Sequence, residues 1–292
     1  MVIDIHTHTF PEKIAAKTVS ALAAAAHLDP FTDATNPGLL SSMEQAGVDL
    51  SVVLPVATSP RQVEKVNDAS AALNRQYGLP AAKEEGRKGA LLSFGCMHPD
   101  HEDALQELVR MKELGLVGVK LHPAYQGVDL DDIRYLRIME KAAELGMVVI
   151  SHMGLDIGIP GAVHCTPRMC RHAQQEIGPF PFIAAHMGGW RNWEEVPEAL
   201  ADTEVYLDTA FSLGRYASNG DGYWSESDTQ MLSAEQFMKI KEVFGAGRLL
   251  FGSDSPWGGQ AESIRLLKEL PLSEQELGQI LGGNAAELLR KR

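Results

Sequence analysis

The feature that most restricts this chain is an alternation repeated eight times. A short apolar run rich in β-branched residues is followed by a polar or Gly/Pro break and then by a segment whose Leu, Ile, Val or Met returns every three or four residues. The runs are 2–5, 50–56, 90–96, 117–122, 147–152, 182–186, 205–208 and 249–252. Helical period is plainest in 103–114, 131–145 and 233–244, with Asp100 and Ser233 as cap-type starts and Gly115 and Gly146 as stops. The runs are almost wholly apolar, so both of their faces must be covered; eight of them interleaved with helices predict a closed parallel (β/α)8 TIM barrel, not an open sheet. Such a barrel accommodates 1–292 as a single domain, and no linker or low-complexity tract divides it. The longest irregular stretch, 210–232, is rich in Gly, Ser, Asp and aromatics, and after the seventh strand it is expected over the barrel mouth as a lid.

A barrel of this kind gathers the carboxyl ends of its strands on one face, where polar side chains serve chemistry more often than stability. His6 and His8 end the first strand on the same side of it and form half of a metal site. Cys96 and His98 end the third, Lys120 and His122 the fourth, His152 the fifth, His186 the sixth, Asp208 the seventh and Asp254 the eighth. Of ten histidines, six stand at strand ends. One alone is explained by a backbone carbonyl partner, and an Asp by a helix cap; the recurrence at strand after strand points to a joint metal site.

Composition narrows the partners. Twenty-six basic against thirty-nine acidic residues give a net charge of −13, which repels phosphate backbones and anionic membranes, so the expected partner is a small molecule and neither nucleic acid nor membrane. A homo-oligomer is left open. No apolar run is long enough to span a bilayer, no charged n-region with a cleavage site begins the chain, and the alanines of 21–26 belong to an amphipathic helix. Three cysteines, Cys96, Cys165 and Cys170, follow no metal-type spacing and fit a reducing cytoplasm.

Several other groups read as structural. His98-Pro99-Asp100-His101 resembles a helix-entry turn with Asp100 as cap. His164, Cys165, Cys170 and His172 match no zinc spacing, and a helix after Pro167 explains the last two as core or surface. Gly188-Gly189 lacks any phosphate-loop signature, and Ser253-Asp254-Ser255 lacks a nucleophile elbow.

The segments Asp4-Ile5-His6-Thr7-His8, Gly118-Val119-Lys120-Leu121-His122-Pro123, Ser151-His152-Met153-Gly154, Ala185-His186-Met187-Gly188-Gly189 and Phe251-Gly252-Ser253-Asp254-Ser255-Pro256 together resemble the amidohydrolase superfamily. More narrowly they are similar to its amidohydrolase-related branch, which holds aminocarboxymuconate semialdehyde decarboxylase, the dihydroxybenzoate decarboxylases and many hydrolases. The resemblance runs to Gly282-Gly283-Asn284-Ala285-Ala286, nearly the whole chain. It implies one divalent metal ion held by His6, His8, His152 and Asp254, with His186 beside it acting on the metal-bound water and Asp254 passing the proton on. Zinc suits three imidazoles and one carboxylate; Mn, Fe, Ni or Co would accept the same ligands. In other branches a lysine at the place of Lys120 is carboxylated and bridges two metals. The branch resembled here uses one metal, so Lys120 is read as a cation for a substrate carboxylate, with His122 as a donor beside it and Arg215, in the long insert, as a further substrate contact. Tyr216, Tyr223 and Trp224 are candidates of the same kind, and Asp208 is read as a cap or as a partner behind the ligands.

Three functions fit. The first is a hydrolase in which metal-activated water attacks an amide, lactone or ester carbonyl of a small carboxylate-bearing substrate. The second is a metal-dependent non-oxidative decarboxylase of an aromatic or unsaturated acid. A non-catalytic barrel with a structural metal is the third, disfavoured because structural sites are closed by protein ligands whereas this one leaves a position open.

Overall fold

The structure, a computed structural model, describes residues 1–291. The apolar runs form β1 (Ile3–Thr7), β2 (Leu50–Val53), β3 (Ala90–Ser93), β4 (Gly95–Cys96), β5 (Gly118–Leu121), β6 (Val148–Ser151), β7 (Phe182–Ala184), β8 (Tyr206–Asp208) and β9 (Leu249–Leu250). All neighbouring pairs are parallel. The Ile5 N–H donates to the Phe251 carbonyl (2.9 Å), the Asp254 N–H to that of His6 (2.9 Å) and the His8 N–H to that of Ser255 (2.7 Å), which returns the last strand to the first and closes the ring.

The expected run 90–96 is one barrel stave broken at Phe94. Up to that point the ladder faces β2, with the Phe94 N–H on the Val53 carbonyl, and beyond it the stave pairs with β5. At Cys96 the backbone N–H is taken by the Asn67 side chain (2.8 Å), which is itself fixed by Glu107 (2.7 Å). A side chain thus stands in for the ladder, a substitution that no hydrophobic pattern announces.

Alternation along the strands sorts the core into two layers. Leu50, Val52, Phe94, Val148, Ile150, Ile183 and Leu250 fill the barrel with Ile3 and Ile5, and Ala285 and Leu288 of the closing helix join them. Val53, Leu91, Val119, Leu121, Val149 and Leu207 face outward onto the helical layer through Met111, Ile138, Met139, Phe237 and Leu267. The amphipathic segments form Ala104–Glu113, Ile133–Glu144 and Ala234–Phe244. Ser233 and Gln236 make a reciprocal capping box, as the cap reading of Ser233 anticipates. Asp100 is a correction: the helix begins after Asp103, and Asp100 accepts from Arg134 instead. Among the described residues no helix is long and apolar enough to cross a membrane.

In β1 strict alternation would put Asp4 and His6 on one face. The register shifts between Asp4 and Thr7, and the two part company: Asp4 faces the outer layer, accepting from the Ser253 N–H and hydroxyl (3.0 and 2.6 Å), Gln260 (2.8 Å) and the His6 N–H (3.2 Å), while the His6 ring turns into the barrel mouth. Burial outweighs these hydrogen bonds and raises the Asp4 carboxyl from 3.8 to about 6. The folded chain therefore holds the Asp4 proton more tightly than the unfolded chain, so this contribution to stability is present below about pH 4 and is lost as pH rises through 6. Relative to Asp4→Asn, which cannot titrate, the wild type should lose about 2 kcal/mol of unfolding free energy between pH 4 and pH 7, measured by denaturant titration.

Candidate metal centre

Hydrogen bonds behind the rings assign the tautomers of the central histidines. His6 Nδ1 lies 2.8 Å from Asp208 Oδ2, so it carries the proton and leaves its lone pair on Nε2. His8 Nδ1 lies 2.7 Å from the Leu54 carbonyl, with the same result. Both free lone pairs converge on Asp254 Oδ1, at 3.3 Å from His6 and 3.1 Å from His8. Three acceptors thus meet with the Lys120 ammonium 3.3 Å from His6 Nε2, and the lone pairs of His8 and Asp254 still face each other without a proton of their own. Ligands about 2.0–2.2 Å from a tetrahedral ion are spaced about 3.3–3.5 Å apart, so the donor set fits a divalent metal. Asp208 stands behind His6, orienting its ring and also accepting the His186 backbone N–H at 2.8 Å.

His186 and His152 stand beside this group. His186 Nδ1 donates to the Ala210 carbonyl (3.0 Å), so its Nε2 accepts the proton that His152 carries on Nδ1, 3.0 Å away. The remaining His152 nitrogen, Nε2, keeps a lone pair, is buried and has no hydrogen-bond partner. The structure brings His6, His8 and Asp254 within 4.8 Å of one another and groups His152 with His122 and Asp156. Burial pushes His6, His122 and His152 well below the usual imidazole range and His186 to about 4, so all four rings are neutral and able to act as ligands or bases at pH 7.

Backbone strain concentrates here. His186 (φ 58°), Met187 (φ 53°) and Asp254 (φ 64°) adopt the left-handed region that side chains avoid, as expected where surroundings over-determine a functional geometry. The loops carrying His152 and His186 are laced together: the Trp190 N–H reaches the Met153 carbonyl (2.9 Å) and the Leu155 N–H that of Trp190 (3.0 Å). Gly154 (φ 85°) lies between them, and a Cβ there would strike the Trp190 backbone. Gly154→Ala should cost about 3 kcal/mol, read as a lowered denaturation midpoint.

Lys120 is buried and not at the rim, its Nζ 3.3 Å from His6 Nε2; burial pulls its pKa below the ordinary lysine range. His122 has a carboxylate beside it, Asp156 Oδ2 at 3.6 Å. The Arg215 guanidinium is engaged with the Glu226 carbonyl and the Thr229 hydroxyl within the insert. That insert does cover the mouth. Trp224 donates to the Ala26 carbonyl (2.9 Å), Tyr223 stacks on His27 at 3.7 Å, Tyr216 packs with Trp190 and Phe211, and Arg191 reaches the Asp228 and Gln230 carbonyls from the neighbouring loop. His164 and His172 pair with Asp129 and Asp131 at the surface, and Cys165 and Cys170 are buried in the core. Sequence reasoning missed Asp156. Its one signal was a lone carboxylate between Leu155 and Ile157, four residues after a strand-end histidine.

A barrel mouth with this ligand set is the site of a metal-dependent enzyme. A family model described as Amidohydrolase matches residues 3–291, and the chain belongs to that family. No curated protein matches it. Among solved structures it is similar to an uncharacterized TIM-barrel protein from Bordetella bronchiseptica (17% identity, TM-score 0.73, covering 99% of this chain and 98% of that one). It is also similar to a dihydroxybenzoic acid decarboxylase from Polaromonas solved with bound manganese and the inhibitor 2-nitroresorcinol (17%, TM-score 0.67, 99% and 96%). A third is a protein from Pseudomonas putida assigned as a 2-pyrone-4,6-dicarboxylic acid hydrolase (19%, TM-score 0.65, 100% and 98%). At these identities the likeness shows the fold.

Proposed function

We propose that the protein is a hydrolase that uses one divalent ion, held by His6, His8 and Asp254 with His152 as fourth ligand, to open an amide, lactone or ester carbonyl of a small substrate. The observation that carries this reading is the convergence of His6 Nε2, His8 Nε2 and Asp254 Oδ1 on one point beside the neutral His186. The orphaned lone pair of His152 supports its place as the fourth. When bound, such an ion polarises a carbonyl and brings the pKa of a coordinated water toward about 7. The chain's own residues do the rest. Asp208 fixes the His6 ring, His186 receives a proton at Nε2 in exchange for its His152 partner, and the insert with Trp190 and Phe211 limits access of bulk water. Zinc is favoured by the imidazole-rich set, with manganese next because it is bound in the Polaromonas decarboxylase.

Decarboxylation is the second reading, favoured by the fold likeness to that enzyme. It fits less well because the substrate's carboxylate would meet Asp156, while Lys120 is turned to His6 and Arg215 is spent within the insert. The test is elemental analysis followed by incubation with lactones, amides, esters and hydroxybenzoates, with products identified by mass. One equivalent of metal and products that have gained water are expected. Products that have lost carbon dioxide would reverse the order of the two readings, and a protein without metal that no added ion activates would remove both.

A further inference from the structure

Asp156 stands in the loop after β6 between Leu155 and Ile157, whose side chains pack into the aromatic cluster of Trp190, Phe211 and Tyr216. Its carboxylate turns the other way, toward the metal centre. Oδ1 accepts the Gly158 N–H at 2.8 Å, and Oδ2 lies 3.6 Å from His122 Nε2 and 4.0 Å from His152 Nε2. The side chain is 11% exposed, and among the described residues no lysine or arginine comes within ion-pair distance of it. An anion so far removed from water, with two imidazoles and backbone N–H groups as its neighbours, has no side-chain cation in contact with it, whereas buried carboxylates ordinarily hold one.

The neighbouring groups do not remedy this. His122 Nδ1 accepts the Tyr125 N–H (3.4 Å), which leaves one proton on Nε2 for Asp156, across a distance too long for a good hydrogen bond. His152 offers Asp156 only a lone pair, and the backbone N–H groups of Gly158 and Ile159 are its other donors. Asp156 Oδ2 is therefore a carboxylate oxygen in want of strong donors, and the Tyr125 ring lies edge-on to the neighbouring His122 at 4.5 Å.

We propose that His122 and Asp156 form a substrate subsite for a protonated amine lying a few bonds from the scissile carbonyl. This deepens the hydrolase reading and rests on it. An ammonium brings positive charge and up to three N–H donors, which is what Asp156 lacks; a carboxylate in the same place would add a second anion to a buried one. The substrate class is thus an amino-bearing amide, lactone or ester, not an acid.

The test uses the metal-loaded protein and three hydroxamates that share a chelating end and a chain of equal length: propanohydroxamate, β-alanine hydroxamate and succinate monohydroxamate. Dissociation constants at pH 7.5 are measured by calorimetry alongside metal content. β-Alanine hydroxamate should bind at least about tenfold more tightly than the succinate compound, with propanohydroxamate between them. Asp156→Asn, which keeps the shape, should bring the ammonium and carboxylate probes to within about threefold at unchanged metal content. Equal affinities in the wild type, or a preference for the carboxylate, with one metal bound would overturn the subsite and leave the hydrolase reading standing; the wild-type series alone decides this even if the variant does not fold. A second equivalent of metal that disappears in Asp156→Asn would make Asp156 a metal ligand and overturn the amine. A protein that binds neither metal nor any hydroxamate would overturn the centre and the subsite with it.

Discussion

His6→Ala is expected to be isolated without its divalent ion and to lose at least about 10³-fold in kcat/KM. His6 is 1% exposed and stands at the crossing of three interactions, with Asp208 behind it and Lys120 and Asp254 before its free nitrogen. Its removal takes away one ligand and at the same time strips Asp208 of its imidazole partner. Asp254→Ala should do the same to the ion. Asp208→Asn is the graded case: the ligands remain, but the His6 tautomer is no longer held, so affinity for the ion should fall about 10–100-fold without being abolished. Throughout, the barrel should stay folded, because Ile3, Val52, Phe94, Ile150 and Ile183 fill its interior without help from the ion. Metal content by elemental analysis and the far-ultraviolet circular dichroism of each variant check both halves. A His6→Ala protein that keeps its full complement of metal would refute the assignment.

His186→Ala should behave differently, lowering kcat by roughly 10²-fold or more while metal content stays near that of the wild type. The ring sits beside the centre, 5.0 Å from that of His6 between centroids, with one nitrogen committed to the Ala210 carbonyl and the other shared with His152. It is thus placed to exchange a proton and not to complete the convergent set of His6, His8 and Asp254. Loss of metal from His186→Ala to the extent seen for His6→Ala would make it a ligand. Because burial pushes His186 to about 4, the ring remains a neutral base down to that pH, and the variant's deficit should persist undiminished from pH 8 to pH 5.

The strands were legible because burial on both faces leaves its mark on local composition: β1, β5, β6 and β7 all fall inside the apolar runs or within two residues of them. Strand-end histidines were legible for a related reason, since a polar residue closing an apolar run has nowhere to go but the barrel mouth. The capping box at Ser233 is local chemistry within four residues, and it held, whereas Asp100 was displaced from its cap by a partner 34 residues away, Arg134.

What the chain's order alone determined, then, was the closed barrel, the mouth on which its chemistry gathers and the residue types found there, because each is written in the periodicity of a few consecutive residues. Tertiary structure decided the rest. Which His6 nitrogen is free depends on Asp208, 202 residues on; the inward turn of the His6 ring depends on a register shift that strict alternation would not produce; and the sign of the charge beside His122 depends on Asp156, from the next loop round the barrel. Tautomer, register and local potential are properties of atoms within about 4 Å of one another, and in a barrel such atoms come from different strands.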